Sequence, residues 1–232
     1  MNIKFVAIRV SEDENLMYLF YTDKIAFSVD STRPHLLLDC LQRTFDNIFY
    51  LPEEIEDLPK REPRKLLYSF TTHHHEDHSK GDRILKDLVP DIIQDNNTVL
   101  IGDIRVECIK TPCHTRDSIC ILVDNKYMCT GDTIFYLGTG CFFEGTPGDM
   151  MKCINKISEY DEDILLLYGH NYKKRNLDFI RKECPHIKHK ETERIFLTIK
   201  EEKKENPFFL VKNEKELGNL RTKKDNFNKS IY

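Results

Sequence analysis

The chain has 232 residues, which is enough for one sizeable domain and a small appendage. Its 40% hydrophobic and 32% charged residues are typical of globular proteins and exclude disordered and collagen-like ones. A net charge of -4 argues against a nucleic-acid-binding surface that covers the molecule, and no apolar run approaches the roughly 18 residues of a membrane span.

The first part of the chain predicts strands with one helix. Short apolar runs between turn residues predict strands at Lys4–Val10, Leu16–Tyr21 and Ile25–Val29. Pro34 opens a predicted helix that runs through Arg43. Residues 52–65 are charged and proline-rich and predict a surface loop, which is followed by a buried strand at Leu66–Phe70.

The middle of the chain predicts more strands and two helices. Helical patterns cover Ser79–Leu88 and Gly148–Ser158. Strands are predicted at Thr98–Ile101, Ile104–Ile109, Ser118–Val123, Lys126–Cys129 and Ile164–Tyr168. Many strands with helices between some of them favour an α+β fold in which helices sandwich two sheets.

The composition changes near residue 173. From there to residue 232 the pattern is charge-rich and helical, with Ile195, Phe196 and Ile199 at helical spacing. Asn213, with Glu216 three residues later, predicts the start of a last helix. We therefore predict one domain over 1–172 and a small C-terminal helical domain over 173–232.

The N-terminus and the cysteines indicate a compartment. The first residues, MNIKFVAIRVSEDEN, resemble neither a signal peptide nor an Arg-rich transit peptide. The eight cysteines include no CxxC pair and lack the density of a secreted disulfide scaffold. We therefore expect a cytoplasmic protein whose thiols are reduced. Separately, we expect a monomer.

A cluster of metal-ligand residue types follows the strand at 66–70. The pattern His-x-His-x-Asp-His places four such side chains at His73, His75, Asp77 and His78. Imidazole and carboxylate groups suit zinc and similar divalent ions such as iron or manganese. Four of them in one short loop after a strand can converge on a point. The pattern therefore predicts a metal site rather than a solvated His-rich loop.

Three further candidate ligands follow later strands. His114 comes after one apolar run, Asp132 after a second and His170 after a third. A single His or Asp at a strand end is usually a turn or cap residue. Its recurrence at successive strand ends, in a chain that already carries the first cluster, favours metal binding.

These motifs, together with GCFFEGT, NPFF and LRTKKDNF, resemble the glyoxalase II family of the metallo-β-lactamase superfamily. The resemblance extends over nearly the whole chain and implies an αββα sandwich with a metal site at one edge. It also implies a small-molecule substrate, the thioester S-D-lactoylglutathione. Hydroxide activated by the metals would cleave it to glutathione and D-lactate, in the detoxification of methylglyoxal.

The resemblance implies two divalent metals, with zinc foremost and iron or manganese as alternatives. One metal would be held by His73, His75 and His114. The other would be held by Asp77, His78 and His170, and Asp132 would bridge both. Asp77 and Asp132 would then be the catalytic carboxylates, whereas His74 would not be a ligand.

The resemblance also implies contacts to glutathione, with residues 173–232 contributing to substrate binding. The contact residues would be Cys141, Phe142, Phe143, Tyr172, Arg221 and Lys224. Arg221 and Lys224 suit a carboxylate of an anionic substrate. Cys141 stands where animal members carry Lys, and Phe143 where they carry Tyr, so polar contacts from these two side chains would be lost.

Two other enzymatic functions remain open, and one non-enzymatic function is disfavoured. A mononuclear iron persulfide dioxygenase on the same fold would use the positions that match His73, His114 and Asp132. A hydrolase could also act on a thioester of another thiol carrier. A scaffold with structural metals only is disfavoured, because closed zinc sites use four Cys or His ligands and this set includes two carboxylates.

Overall fold

The computed structural model describes residues 2–12, 14–94, 97–189 and 192–229. Within them the strands are β1 (Lys4–Arg9), β2 (Leu16–Tyr21), β3 (Ile25–Val29), β4 (Phe49–Tyr50), β5 (Lys65–Phe70), β6 (Ile92–Ile93), β7 (Thr98–Ile101), β8 (Ile104–Lys110), β9 (Ile119–Val123), β10 (Tyr127–Gly131), β11 (Ile134–Phe135), β12 (Gly138–Thr139) and β13 (Leu165–Tyr168). The helices are α1 (Pro34–Cys40), α2 (Glu76–Ser79), α3 (Asp82–Leu85), α4 (Pro147–Ser158), α5 (Lys173–Glu183), α6 (Ile199–Glu205) and α7 (Glu214–Lys229), and a short 3-10 turn covers Pro52–Glu54.

The strands form two main sheets and a small hairpin. The first sheet has the order β4-β1-β2-β3-β5-β6, the second has the order β13-β10-β9-β8-β7, and β11 pairs with β12. Short turns make β1, β2 and β3 antiparallel. The connection through α1 makes β5 parallel to β3, and the connection through α4 makes β13 parallel to β10. Parallel neighbours end at the same edge of a sheet, which brings the loops after them together.

Strand β2 shows why the two sheets pack as a sandwich. All of its residues are buried. One face, Leu16, Tyr18 and Phe20, joins the core between the sheets. The other face, Met17, Leu19 and Tyr21, joins a second apolar cluster that includes residues of α1 and α3. A strand that is covered on both faces is apolar throughout. The prediction of two sheets sandwiched by helices is confirmed.

The predicted helix at Ser79–Leu88 is wrong. The chain forms the short helices α2 and α3 instead, and Gly81 lies between them. A Cβ atom at Gly81 would lie 1.8 Å from the carbonyl oxygen of Ser31. Only glycine permits this close approach of two backbones, which lies between the two helical turns.

The loop at 52–65 is held to the sandwich by Arg43. Its guanidinium donates to the carbonyl oxygens of Glu56 and Leu58 at 2.9 and 3.0 Å. The helix α1 ends at Cys40, short of the predicted Arg43, and the amides of Gln42 and Arg43 donate to the carbonyls of Asp39 and Cys40 in tighter turns.

The C-terminal region is only partly helical. Ile195 and Phe196, predicted at helical spacing, lie in no helix, and the Leu166 amide donates to the Leu197 carbonyl beside the edge strand β13. An edge strand has unpaired backbone groups, and this segment satisfies some of them. The last helix begins where the sequence predicts, because Asn213 Oδ1 accepts the Glu216 amide at 3.0 Å.

Helices α5 to α7 pack on the sandwich rather than standing apart from it. Their buried residues Phe179, Ile180, Leu217 and Phe227 belong to the same apolar cluster as the strands of the second sheet. The part of the chain that the structure describes contains no helix with both the length and the apolar character needed to cross a bilayer.

Candidate metal centre

Seven predicted ligands meet at one edge of the sandwich. Each follows a strand: the loop 73–78 follows β5, His114 follows β8, Asp132 follows β10 and His170 follows β13. Because β10 and β13 are parallel neighbours, Asp132 and His170 leave the second sheet side by side. The Ile119 amide donates to the Thr72 carbonyl at 2.9 Å and joins the loop of the first sheet to the second sheet.

The first ligand group consists of His73, His75 and His114. Their imidazole nitrogens converge, with His75 Nδ1 lying 3.0 Å from both His73 Nε2 and His114 Nε2. Burial lowers the pKa of His73 to about 2 and also lowers the pKa of His114. A neutral imidazole keeps a lone pair on the unprotonated nitrogen, which is the form that binds a metal.

The second ligand group consists of Asp77, His78 and His170. His78 Nε2 and His170 Nε2 lie 3.3 Å apart, and Asp77 Oδ2 lies 3.6 and 3.4 Å from them. The two histidines are buried, whereas the Asp77 side chain is 46% exposed. Each ligand group thus has two buried histidines and one partly exposed member, which is His75 in the first group and Asp77 in the second.

Asp132 stands between the two ligand groups. Its Oδ2 lies 3.3 Å from His114 Nε2, and its Oδ1 lies 3.3 and 3.6 Å from the Nε2 atoms of His78 and His170. One carboxylate oxygen therefore faces each group. Although burial raises it, the pKa of the Asp132 carboxyl is held well below its usual range by His170 and His78.

The Asp132 carboxylate provides a test of whether a cation fits here. Its Oδ1 is buried and accepts no hydrogen bond from any residue that the structure describes. A buried carboxylate oxygen without a donor is costly unless a cation neutralises it. Together with five imidazoles and a second carboxylate, this oxygen forms a donor set that fits divalent metals.

Glycine is required beside this carboxylate. A Cβ atom at Gly169 would lie 2.4 Å from Asp132 Oδ1 and 2.9 Å from His78 Cε1. Any larger residue between Tyr168 and His170 would therefore occupy the space in which the ligands meet.

Asp30 is a supporting residue that the sequence analysis did not identify. Its carboxylate lies 2.9 Å from His78 Nδ1 and accepts the Thr72 amide and hydroxyl, each at 2.8 Å. A carboxylate behind a ligand histidine fixes the tautomer and orientation of the ring. Asp30 follows the end of β3 just as Asp132 follows β10. The pattern of polar residues directly after strands could therefore have identified Asp30 as well.

His74 lies outside the ligand groups found among the described residues. Its side chain is exposed, and its Nδ1 lies 2.9 Å from Asp117 Oδ1.

The His114 ring contacts the loop at 141–143, since its Nδ1 lies 3.0 Å from the Cys141 carbonyl oxygen. The loop at 141–143 is therefore attached directly to the metal centre.

Aromatic rings of the predicted substrate contacts surround the ligand groups. The Phe143 ring is 66% exposed and lies 5.1 Å from the His114 ring, centroid to centroid. The Tyr172 ring stacks on His170 at 4.6 Å with an interplanar angle of 14°, and the Arg175 guanidinium lies 4.9 Å from the Tyr172 centroid. Phe142 is half-buried, and the Cys141 thiol donates to Asp225 at 3.6 Å.

Arg221 and Lys224 are buried rather than solvated on a helix face. Arg221 is 5% exposed, and it donates to the Thr139 carbonyl at 2.8 Å and to Asp225 at 2.9 Å. Lys224 is 4% exposed and donates to the Arg175 carbonyl at 3.2 Å. Burial, reinforced by the positive charges of Arg221 and Arg175, lowers the pKa of Lys224 to about 7. Arg221 thus contacts the segment that leads into the loop at 141–143, and Lys224 contacts α5, which begins directly after Tyr172.

Comparison with solved structures identifies the fold. ETHE1 from Myxococcus xanthus has a TM-score of 0.64 and 19% identity, over 94% of this chain and 90% of that one. A metallo-β-lactamase from Staphylococcus aureus has a TM-score of 0.62 and 17% identity, over 97% of this chain and 66% of that one. At such identities the likeness shows the fold alone, which is the predicted αββα sandwich.

Sequence comparison identifies the family. No protein-family model matches the chain. A probable hydroxyacylglutathione hydrolase of Encephalitozoon cuniculi is 40% identical, and the alignment covers 99% of this chain and 100% of the relative. The predicted resemblance is thereby confirmed. The chain belongs to the hydroxyacylglutathione hydrolase, or glyoxalase II, family, on the metallo-β-lactamase fold.

Proposed function

We propose that this protein hydrolyses the thioester bond of S-D-lactoylglutathione, and more broadly of 2-hydroxyacyl-glutathiones. The products would be glutathione and D-lactate, and the role would be methylglyoxal detoxification. The observation that carries this proposal is the meeting of two ligand groups around the Asp132 carboxylate. The name of the Encephalitozoon relative supports the substrate class.

The two ligand groups support two divalent metals, with zinc foremost. His73, His75 and His114 would hold one, Asp77, His78 and His170 the other, and Asp132 would offer one oxygen to each. Metals bound there would supply a Lewis acid that lowers the pKa of water and polarises the thioester carbonyl. A thiolate is a good leaving group, so the protein needs no separate general acid.

The side chains around the centre fit an acyl-glutathione. Phe143 and Tyr172 offer apolar faces beside the ligand groups. Arg221 and Lys224 place positive charge beneath them, which suits the carboxylates of the tripeptide. We propose that residues 173–232 form the substrate-binding region, because α7 carries both cations and α5 carries the Arg175 carbonyl oxygen that accepts from Lys224.

The second ligand group favours hydrolysis over the persulfide dioxygenase alternative. A single iron at His73, His114 and Asp132 would leave Asp77, His78 and His170 without a role. These three nevertheless converge to within 3.6 Å and include two buried histidines. A hydrolase for another thiol carrier is favoured only by Cys141 and Phe143, which lack the polar groups of animal members.

The test is a thioester-cleavage assay with metal analysis of the same sample. Zinc-loaded protein should release one thiol and one D-lactate from each S-D-lactoylglutathione, and it should cleave coenzyme A and cysteine thioesters far more slowly. Failure to cleave any acyl-glutathione would refute the proposal. One bound iron with oxygen uptake on glutathione persulfide would establish the dioxygenase instead. The cytoplasmic location and the monomeric state remain predictions from the sequence.

A further inference from the structure

The turn between β1 and β2 reaches the metal centre. Asn15, at the end of this turn, is 2% exposed and forms an isolated β-bridge with His170. The amide of Leu16 donates to the Gly169 carbonyl, and the amide of Asn171 donates to the Glu14 carbonyl, each at 2.9 Å. The turn is therefore joined to the chain on both sides of His170.

The side chain of Asn15 holds a second ligand, Asp77. Its Nδ2 lies 2.9 Å from Asp77 Oδ2 and 3.0 Å from the Asp77 carbonyl oxygen, so each amide hydrogen has an acceptor. Oδ2 is also the Asp77 oxygen that faces His78 and His170. Asn15 therefore fixes the oxygen that would bind the metal.

Ser11 sets the orientation of the Asn15 amide. The Ser11 hydroxyl donates to Asn15 Oδ1 at 2.5 Å, and it accepts the Asn15 backbone amide at 3.3 Å. If the amide were flipped, Oδ1 would face two acceptor oxygens of Asp77. The turn thus presents a donor, and not an acceptor, to the second ligand group.

Asp77 is the ligand that most needs such support. Its side chain is 46% exposed, whereas those of His78 and His170 are 1% and 4% exposed. The packing of the core cannot fix a half-exposed carboxylate, which loses rotational freedom when it binds a metal. A neutral amide fixes it without cancelling the negative charge that attracts the cation.

We propose that Asn15 is a positioning residue that secures the second metal position. It thereby determines that the centre holds two metals rather than one. This inference rests on the proposed function, because it assumes that Asp77, His78 and His170 hold a metal.

The experiment is a cobalt(II) titration of metal-free protein, followed by absorption spectroscopy and by measurement of the bound metal. The unaltered protein should bind two equivalents. Asn15→Ala, which removes the donor, should keep the first equivalent. It should bind the second about 10- to 100-fold more weakly, the usual effect of losing a ligand's supporting hydrogen bond. Ser11→Ala should weaken binding of the second equivalent by a smaller factor. This variant tests the inference if Asn15→Ala fails to fold.

The control is Asn47→Ala, which makes the same truncation at an exposed position and should bind both equivalents normally. The inference is overturned if Asn15→Ala and Ser11→Ala bind both equivalents as tightly as the unaltered protein, or if the unaltered protein binds only one. Thioesterase activity is measured separately. Inactive protein that still loses its second metal in Asn15→Ala would refute the proposed function and leave this inference standing.

Discussion

The Tyr168 hydroxyl donates a 2.7 Å hydrogen bond to Glu202 in the interior of the protein. Glu202 also accepts the Leu137 amide at 3.0 Å and the Asn206 side-chain amide at 2.7 Å. One carboxyl group of α6 thus joins the strand that leads to His170 to the hairpin that follows Asp132. The C-terminal helices support the metal centre through it.

Glu202 should make stability depend on pH. Burial raises the pKa of Glu202 from 4.5 to about 7, so the folded protein retains a proton that the unfolded chain has lost. The stabilisation is complete below pH 4.5 and is lost as the pH rises through 7. Glu202→Gln should remove this pH dependence, which amounts to about 3 kcal/mol at 1.36 kcal/mol per pKa unit.

Urea unfolding at pH 5 and pH 8 measures this effect. The difference in the free energy of unfolding between the two pH values should shrink in Glu202→Gln and stay unchanged in the exposed control Glu62→Gln. Equal differences in the unaltered protein and Glu202→Gln would contradict the prediction. Glu202→Ala leaves three donors without an acceptor and should cost roughly 3 kcal/mol or more at any pH.

Asp132 should be required for both metals. Its two oxygens face different ligand groups, so we expect Asp132→Ala and Asp132→Asn to lose metal from both and to lose thioesterase activity. Metal content after dialysis and kcat are the measurements. Asp163→Asn, at an exposed position, is the control and should keep both. Wild-type activity in Asp132→Ala would show that the two-metal arrangement is wrong.

Arg221 and Lys224 should act mainly on substrate binding. A hydrogen bond from either cation to a substrate carboxylate would contribute about 1.5 to 3 kcal/mol, so each replacement by Ala should raise KM for the acyl-glutathione by about 10- to 150-fold. Because both side chains are buried and donate to backbone carbonyl oxygens, the free energy of unfolding is measured for each variant, and KM is compared between variants that fold. The value of kcat should change much less. A fall in kcat with KM unchanged would assign both residues to the metal centre rather than to the substrate.

Lys224 should also make KM depend on pH. Its pKa, lowered to about 7, means that the ammonium is charged below pH 7 and neutral above it. KM for an anionic substrate should therefore rise as the pH increases from 6 to 8. Lys224→Arg keeps its charge at every pH in this range and should flatten the rise. If KM rises equally with pH in the unaltered protein and in Lys224→Arg, then deprotonation of Lys224 does not cause the rise.

The sequence predicts those features of the fold that local patterns encode. Strands β2 and β3 have their predicted bounds, since apolar runs between turn residues are local signals. The clustering of His114, Asp132 and His170 also follows from a local rule, because each comes directly after a strand. The predicted helix at Ser79–Leu88 is interrupted between α2 and α3, where Gly81 approaches Ser31, a contact between segments that are distant in sequence.

The supports of the centre could not be predicted in this way. Asn15 looks like an ordinary turn residue, and only the tertiary structure brings it to Asp77. The burial of Lys224 likewise depends on how α7 packs against α5, which no pattern within α7 encodes. Asp30, in contrast, could have been predicted, because it directly follows the strand β3 as the ligand Asp132 follows β10.

The distances along the chain between the partners at the centre have a consequence for folding. Asn15 is 155 residues from His170, and His78 is 92 residues from it. An unfolded chain offers a metal only the short His73–His78 segment, so capture of the ions must come late, after both ends of the chain have docked. A metal that binds the folded protein in this way would stabilise it and would reduce the unfolded population that proteases degrade. The metal supply of the cell would thus govern how long this protein persists as well as how fast it works.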